Sequence, residues 1–434
     1  MLMLSENRHM TNTNSKYSFW QTHLVALVYI MLVAYVGIAG AVQGLSNYYA
    51  DSAISYGSSA DADLAISLQP GNPNAYKTRG LINLRNRDFT NAANDFEHAI
   101  AFRDSDYDLW LLLGYAHSEL GDTLAASDCY QRAILLAPRY SQPNFDMGML
   151  LLKESQPELA FEFLSTAAEY DPELYPSVLD LARKSFPNNA EAIENSVRPR
   201  SIDAKKITAR YFIKHGLMTE NVKAFLFSDE LTGTERNELI SLLISKEDFS
   251  LARNIWLEGR KIESSGRTDP IFDGGFERIS ESEPGGFGWQ IDQKATGLSV
   301  SLDEKDVHGG KRSLRLKFNG NVEVDRALIS QLVVLEPFEK YELRFYARST
   351  ELISAGLPVI LIKDQITSEV LGRSDKFQPS KGQWIEVRTT FVTKRSSAVS
   401  IVLLRPGCNV NPCPIFGDLG LDDLSVMAAD VPRR

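Results

Sequence analysis

Residues 107–140 read YDLWLLLGYAHSELGDTLAASDCYQRAILLAPRY, and their pattern returns 34 residues upstream and 34 downstream. Gly80, Gly114 and Gly148 share that spacing, as do Ala92, Ala126 and Ala160, and Ala99, Ala133 and Ala167. Phe96, Tyr130 and Leu164 supply a large residue at one position of the second half of each unit. Tyr76 and Trp110 occupy an aromatic position in the first half, from which Asn144 departs. Pro138 and Pro172 end their units, and Pro70 stands two periods before Pro138. Small residues let the two helices of a hairpin approach closely. Proline stops the second helix because it cannot donate the next hydrogen bond.

Columns held in register over 73–106, 107–140 and 141–174 resemble the tetratricopeptide repeat. The resemblance implies a solenoid of helix pairs whose first helices line a concave groove for a protein partner. In this register the groove residues are Lys77, Leu81, Leu84, Leu111, Tyr115, Phe145, Met149 and Leu152. Such an apolar set suits an amphipathic helix or an extended peptide. The competing arrangement folds the helices of 175–265 back into the groove. Residues 46–70, with Ala65 and Pro70 in register, look like a degenerate first hairpin, so the repeats span 46–174. Residues 175–265 stay helical in texture without the strict period, and include ERNELISLLISKEDFSLARNIWLEGR, a diverged hairpin with Ala252 and Trp256 in its second helix. An atypical terminal unit of this kind caps a solenoid.

Upstream, Leu24–Val42 reads LVALVYIMLVAYVGIAGAV, 19 residues without a charge. That length crosses the hydrocarbon core of a bilayer. We therefore expect a short tail over 1–23 and a transmembrane signal-anchor over 24–43. Arg8 and Lys16 precede the span, whereas Asp51, Asp61 and Asp63 come before the first basic residue after it, Lys77. The positive-inside rule then places the N-terminus in the cytoplasm and the bulk of the chain in the periplasm, as in a single-pass inner-membrane protein. Ala39-Gly40-Ala41 also fits signal-peptidase cleavage after Ala41. Both readings put the bulk of the chain across the membrane.

From Asp269 the texture turns to alternating apolar residues separated by Gly, Asn and Asp. Strands are expected at 313–318, 327–334, 341–348, 357–362, 385–392, 398–404 and 419–426, enough for a β-sandwich. The ordered motifs Phe272-Asp273-Gly274-Gly275-Phe276-Glu277, Gly288-Trp289, His308-Gly309-Gly310-Lys311-Arg312-Ser313, Trp384-Ile385-Glu386-Val387 and Leu421-Asp422-Asp423-Leu424-Ser425-Val426 span 269–428. They resemble the jelly-roll carbohydrate-binding modules of families 4, 9 and 22, which are similar to galactose-binding domains. The resemblance implies a structural calcium between the first and last strands, with Glu277, Asp422 and Asp423 at the matching positions. The alternative is an exposed strand glutamate and an aspartate pair closing an ordinary turn. Trp289, Tyr346 and Trp384 are the rings available to a sugar, but Trp289 and Trp384 lie where this fold usually places core. Cys408 and Cys413 flank four residues in one loop and are expected to pair in an oxidising compartment. Metal binding is the other reading, without a third ligand nearby. Cys129 lies in a repeat helix and reads as buried and inert.

The fold class is thus multidomain: an all-α repeat solenoid plus an all-β jelly roll, behind one transmembrane helix. The net charge of −10 argues against nucleic acid as a partner. Hydrophobic content of 44% rules out wholesale disorder, and three cysteines exclude a disulfide scaffold. Six scattered histidines form no H-E-x-x-H, and no G-x-S-x-G is present. Of the acidic pairs Glu281/Glu283 and Asp422/Asp423, neither reads as a hydrolase pair, since adjacent residues in a strand face opposite ways. No catalytic residue and no cofactor beyond the calcium is expected. The function these features imply is a non-catalytic envelope scaffold. Its repeats hold a protein, and its tail touches a polysaccharide or a second protein, in a setting of cell-surface polysaccharide synthesis or export. An envelope hydrolase or lyase with its site on the jelly roll is the alternative, and a structural spacer a third.

Overall fold

The computed structural model describes residues 10–260, 269–278, 286–292, 295–408 and 412–429, with side chains from 23 onward. Arg8, Glu281 and Glu283 lie outside them. The chain divides into two compact units, Met1–Ala204 and Lys205–Arg434.

The first unit opens with α1 (Met10–Tyr56), a helix of 47 residues, about 70 Å long at 1.5 Å per residue. It is long and apolar enough to cross a membrane. Its side chains are exposed from Leu24 to Gly40, then Ser46, Ala50 and Ala53 become buried. The same helix therefore serves as the first helix of the first hairpin, with α2 (Ser59–Leu68) as the second. Three regular hairpins follow: α3 (Pro73–Arg85) with α4 (Phe89–Phe102), α5 (Tyr107–Leu120) with α6 (Thr123–Leu136), and α7 (Ser141–Lys153) with α8 (Pro157–Tyr170).

The glycine column and the large-residue column explain one another. A Cβ built on Gly80 would stand 2.6 Å from the Phe96 ring, on Gly114 2.6 Å from the Tyr130 ring, and on Gly148 2.5 Å from Leu164. Each large side chain thus fills the space that the glycine opposite leaves. The two alanine columns are buried to 0% exposure at all six positions. Capping repeats too: Asn72 and Asp106 cap α3 and α5, and Asp88 and Asp122 cap α4 and α6, through their side-chain oxygens. Beyond α8, α9 (Tyr175–Ser185) and α10 (Ala190–Val197) bury Tyr175, Val178, Leu179, Ile193 and Val197 and pack on α8.

The second unit begins within α11 (Ile202–His215) and continues with α12 (Glu220–Phe227), α13 (Gly233–Ser245) and α14 (Phe249–Glu258). A capping box between Thr232 and Glu235 starts α13. The sequence places this hairpin with the repeats, as their cap; in the structure it clusters with the sandwich. Trp256 meets Phe272 edge-on at 4.9 Å and Phe287 at 5.9 Å, and the Arg253 guanidinium donates to the Pro270 carbonyl. Burial of that indole against the first segment of the sandwich is what joins the two.

Among the described residues the sandwich has ten strands: β1 (Gln290–Ile291), β2 (Leu298–Asp303), β3 (Ser313–Gly320), β4 (Ala327–Val334), β5 (Lys340–Ser354), β6 (Val359–Asp364), β7 (Val370–Arg373), β8 (Ile385–Val392), β9 (Ala398–Leu404) and β10 (Ile415–Ala428). They form two five-stranded antiparallel sheets, in the orders β1-β4-β9-β6-β7 and β2-β3-β10-β5-β8. Alternation sends Leu314, Leu316, Phe318, Leu343, Phe345, Leu419 and Leu421 inward against Ile360, Ile362, Val399, Ile401 and Leu403. Trp289 belongs to this core, as expected. Trp384 does not: it is half-buried outside the core, just before β8. The short strands β1 and β7 and the strand β2 extend the seven read from the sequence.

Candidate functional site

The residues expected to line a groove lie in three rows across the first helices. Lys77, Leu111 and Phe145 form one row, Leu81, Tyr115 and Met149 the next, and Leu84 and Leu152 flank Ser118 in the last. Helical spacing of four and then three residues puts the rows on one face. Tyr115 is 46% and Met149 39% exposed, so the middle row offers apolar surface. Leu111 does not line it: at 8% exposure it packs with Tyr130, Met147 and Leu150 inside the stack. Lys77 forms an ion pair with Asp108 of the next repeat. Leu81, Leu84, Phe145 and Leu152 are half-buried.

Asp146 follows Phe145 on α7. Burial pushes its carboxyl up to about 6, against a hydrogen bond from Gln142 at 2.8 Å that pulls the other way. Sequence reasoning overlooked it because a lone aspartate in a helix carries no motif. Cys129 is buried, and burial raises its thiol to about 12, which makes it unreactive. His117 is half-buried beside Asp122 at 4.0 Å.

On the sandwich, Glu277, Asp422 and Asp423 converge on the glycine-rich turn 308–312. Glu277 Oε1 accepts from the backbone N–H groups of Lys311 (2.6 Å) and Arg312 (3.1 Å). Asp422 Oδ2 accepts from those of His308 (2.8 Å) and Gly309 (3.1 Å), and its Oδ1 from Asp423 (2.8 Å). Asp423 Oδ2 meets His308 Nδ1 at 2.7 Å. Strand alternation predicts opposite directions for Asp422 and Asp423. A bulge in β10 between Asp422 and Ser425, with Asp423 at φ +48°, breaks the alternation, so both reach the same turn. Nearby, Asp273 accepts from the N–H groups of Glu277 and Arg278, both at 2.9 Å. Burial raises the Asp273 and Asp422 carboxyls. Calcium needs oxygen lone pairs that face an ion. Glu277 and Asp422 face backbone protons and Asp423 faces the His308 ring; among the described residues no cluster of three His, Cys, Asp or Glu side chains is set to hold a metal ion. Glu277 and Asp422 thereby clamp the 308–312 turn.

Cys408 and Cys413 are bonded, with Cα atoms 6.1 Å apart, inside the normal disulfide range. Beside them Arg405 is fully buried. It donates to the carbonyls of Val322 (2.8 Å), Gly356 (3.2 Å) and Cys413, and to the Ser354 hydroxyl. Burial lowers its pKa. Backbone carbonyls solvate this charge, a role that no local pattern announces.

On β6 and β9, Val359, Leu361, Val402 and Leu404 form an aliphatic cluster. On the other sheet, His308 stacks on Tyr346 at 3.5 Å and meets Trp384 edge-on at 6.1 Å, and the Arg348 guanidinium lies 5.6 Å from the Trp384 ring centre.

Residues 269–405 match the carbohydrate binding domain family of types 4 and 9. Residues 107–140 match the tetratricopeptide repeat. The chain thus joins repeats of that type to a sandwich of that type. Among solved structures, a crystal structure of MamA is 16% identical, covers 42% of this chain and 98% of its own, and gives a TM-score of 0.34. Pseudomonas aeruginosa PilF is 15% identical over 52% of this chain and 95% of its own, with a TM-score of 0.33. A family 4 carbohydrate-binding module is 15% identical over 37% of this chain and 99% of its own, at 0.29. No curated protein matches the chain.

Proposed function

We propose that this chain is a membrane-anchored, non-catalytic scaffold of the cell envelope. The exposed Tyr115–Met149 row carries the reading: an apolar strip across successive first helices suits the hydrophobic face of a partner helix or an extended peptide. The sandwich contacts a glycan or a second protein. The apolar helix α1 anchors the chain, with the N-terminus in the cytoplasm and the repeats and sandwich outside. The charge asymmetry around the span supports this orientation, and so does the Cys408–Cys413 pair, since disulfides persist in oxidising compartments. Synthesis, export or anchoring of cell-surface polysaccharide is the setting that this pairing of modules suggests.

Affinity capture from detergent-solubilised membranes tests the groove. Wild-type protein should retain an identifiable envelope protein that Tyr115→Asp/Met149→Asp loses while its melting temperature holds. Equal capture by both would move the partner site off this face. A cysteine at position 60, probed with a membrane-impermeant thiol reagent on intact and permeabilised spheroplasts, tests the orientation.

A further inference from the structure

No linker separates the apolar span from the repeats. The helix α1 carries the span and, without a break, the packing surface of the first hairpin. Val42, the last residue of the apolar run, is already half-buried, and Ser46, one turn further on, is fully buried. Contacts then fix which edge of the repeats lies beside the span. Ala53 packs with Ala62 and Ala50 with Ala65, so α2 runs antiparallel to α1, back toward the span. The turn 69–72 that follows stands level with Ser46 and Asn47, since the Asn72 amide donates to the Ser46 hydroxyl (2.8 Å) and to the Asn47 side-chain oxygen (2.9 Å). The next returning helix, α4, ends beside it. The Arg103 guanidinium donates to Asn74 Oδ1 (3.1 Å), and the Phe102 ring would lie 3.8 Å from a Cβ built on Gly71. Turns 69–72 and 103–106 therefore share the span-side edge. Turns 57–58, 86–88 and 121–122 lie at the opposite edge, which α1 reaches about 20 Å beyond Val42.

The span-side edge is apolar where it is exposed. Phe102 is 54% exposed there, and Leu45 and Tyr48 of α1 are exposed near the same level. The turn Gln69-Pro70-Gly71-Asn72 holds no charge. Rings and aliphatic side chains sit favourably at the headgroup level of a bilayer. The spacing selects this occupant. Helical rise puts Ser46 about 6 Å beyond Val42, whereas a partner helix with its side chains is about 10–12 Å across. The headgroup layer of one leaflet is about 5–8 Å thick, so it fills that distance.

We propose that the span-side edge of the repeats, at turns 69–72 and 103–106 with Phe102 as its exposed ring, rests in the lipid headgroup layer. The inference rests on the reading that α1 spans a bilayer, and adds the surface by which the repeats meet lipid. The full chain in vesicles of phosphatidylcholine and phosphatidylglycerol tests it. Single cysteines at Val33→Cys, Phe102→Cys and Leu124→Cys, in a Cys129→Ala background without reductant, carry a nitrobenzoxadiazole fluorophore. Leu124 is the control: it is 81% exposed, but at the opposite edge. Nitroxide lipids, spin-labelled on the headgroup or within the acyl chain, serve as quenchers. The Phe102 label should lose most of its emission to the headgroup nitroxide, the Leu124 label almost none, and the Val33 label most to the acyl-chain nitroxide. Melting curves confirm folding, and Gly71→Cys on the same edge carries the test if Phe102→Cys unfolds. Equal quenching at Phe102 and Leu124 overturns the proposal. A Phe102 label untouched by lipid nitroxide while Val33 is quenched also overturns it, and leaves the anchor standing; if that label is also shielded from aqueous iodide, a second copy of the chain covers the edge instead. An unquenched Val33 label overturns the anchor reading itself.

Discussion

The side-chain amide of Asn72 donates to the Ser46 hydroxyl at 2.8 Å, and that hydroxyl donates to the Ala65 carbonyl at 2.7 Å. Both residues are buried. Asn72 also caps α3 and Ser46 lies on α1, so one hydrogen-bond chain ties the apolar helix to the first two hairpins. Breaking it leaves buried polar groups unsatisfied, at about 1–3 kcal/mol each. Asn72→Ala should lower the melting temperature and open a protease-sensitive site in residues 57–72. Unchanged cleavage would show that the apolar packing of Ala50, Ala53 and Ala65 suffices.

Gly148 and Leu164 should behave as one unit. Gly148→Ala forces a methyl to 2.5 Å from Leu164 Cγ and 3.0 Å from the Ala160 carbonyl. Overpacking of this kind costs about 1–3 kcal/mol, against about 1 kcal/mol gained in helix propensity. Leu164→Ala alone should cost about 2–5 kcal/mol by leaving a cavity. Denaturant unfolding of the double variant should show less than the sum of the two losses.

Asp146 predicts a pH dependence. Burial raises its folded pKa to about 6, from the ordinary carboxylate value near 3.8. The folded chain therefore binds the proton more tightly than the unfolded chain, and this residue's contribution to stability falls as pH rises from 3.8 through 6. Asp146→Asn should stabilise the protein at pH 7.5 by up to about 3 kcal/mol. The gain should vanish near pH 3.8. A gain independent of pH would assign the effect to something other than the buried charge.

The carboxylate clamp predicts indifference to calcium. Chelation with EGTA should leave the melting temperature unchanged, because Glu277 and Asp422 already accept backbone protons. Glu277→Ala should lower it by freeing the 308–312 turn. A fall of several degrees on chelation, reversed by calcium, would establish a calcium site instead.

Thiol counting checks the disulfide. The chain has three cysteines, and Cys129 is free. Denatured protein isolated without reductant should expose one thiol per chain, and three after reduction. Arg405→Met, which leaves the carbonyls of Val322, Gly356 and Cys413 without their donor, should destabilise the sandwich by about 2–4 kcal/mol.

Much of this protein was legible in the linear order of its residues. Gly80, Gly114 and Gly148 face Phe96, Tyr130 and Leu164 across a hairpin only 16 residues deep, and the same contact recurs every 34 residues, so a local pattern suffices to reveal it. The apolar run of α1 and the alternation of β4, β8 and β9 are local too. The tertiary structure decided the rest, through pairings between distant residues. Asp423 reaches His308 across 115 positions because a bulge in β10 turns it, and Trp384 leaves the core because Gly420 makes room for it outside. Trp256 draws the last helical hairpin to the sandwich because Phe272 and Phe287 can bury it. Periodicity records which face of an element is apolar, but the partner that covers that face is set by the packing of the whole chain.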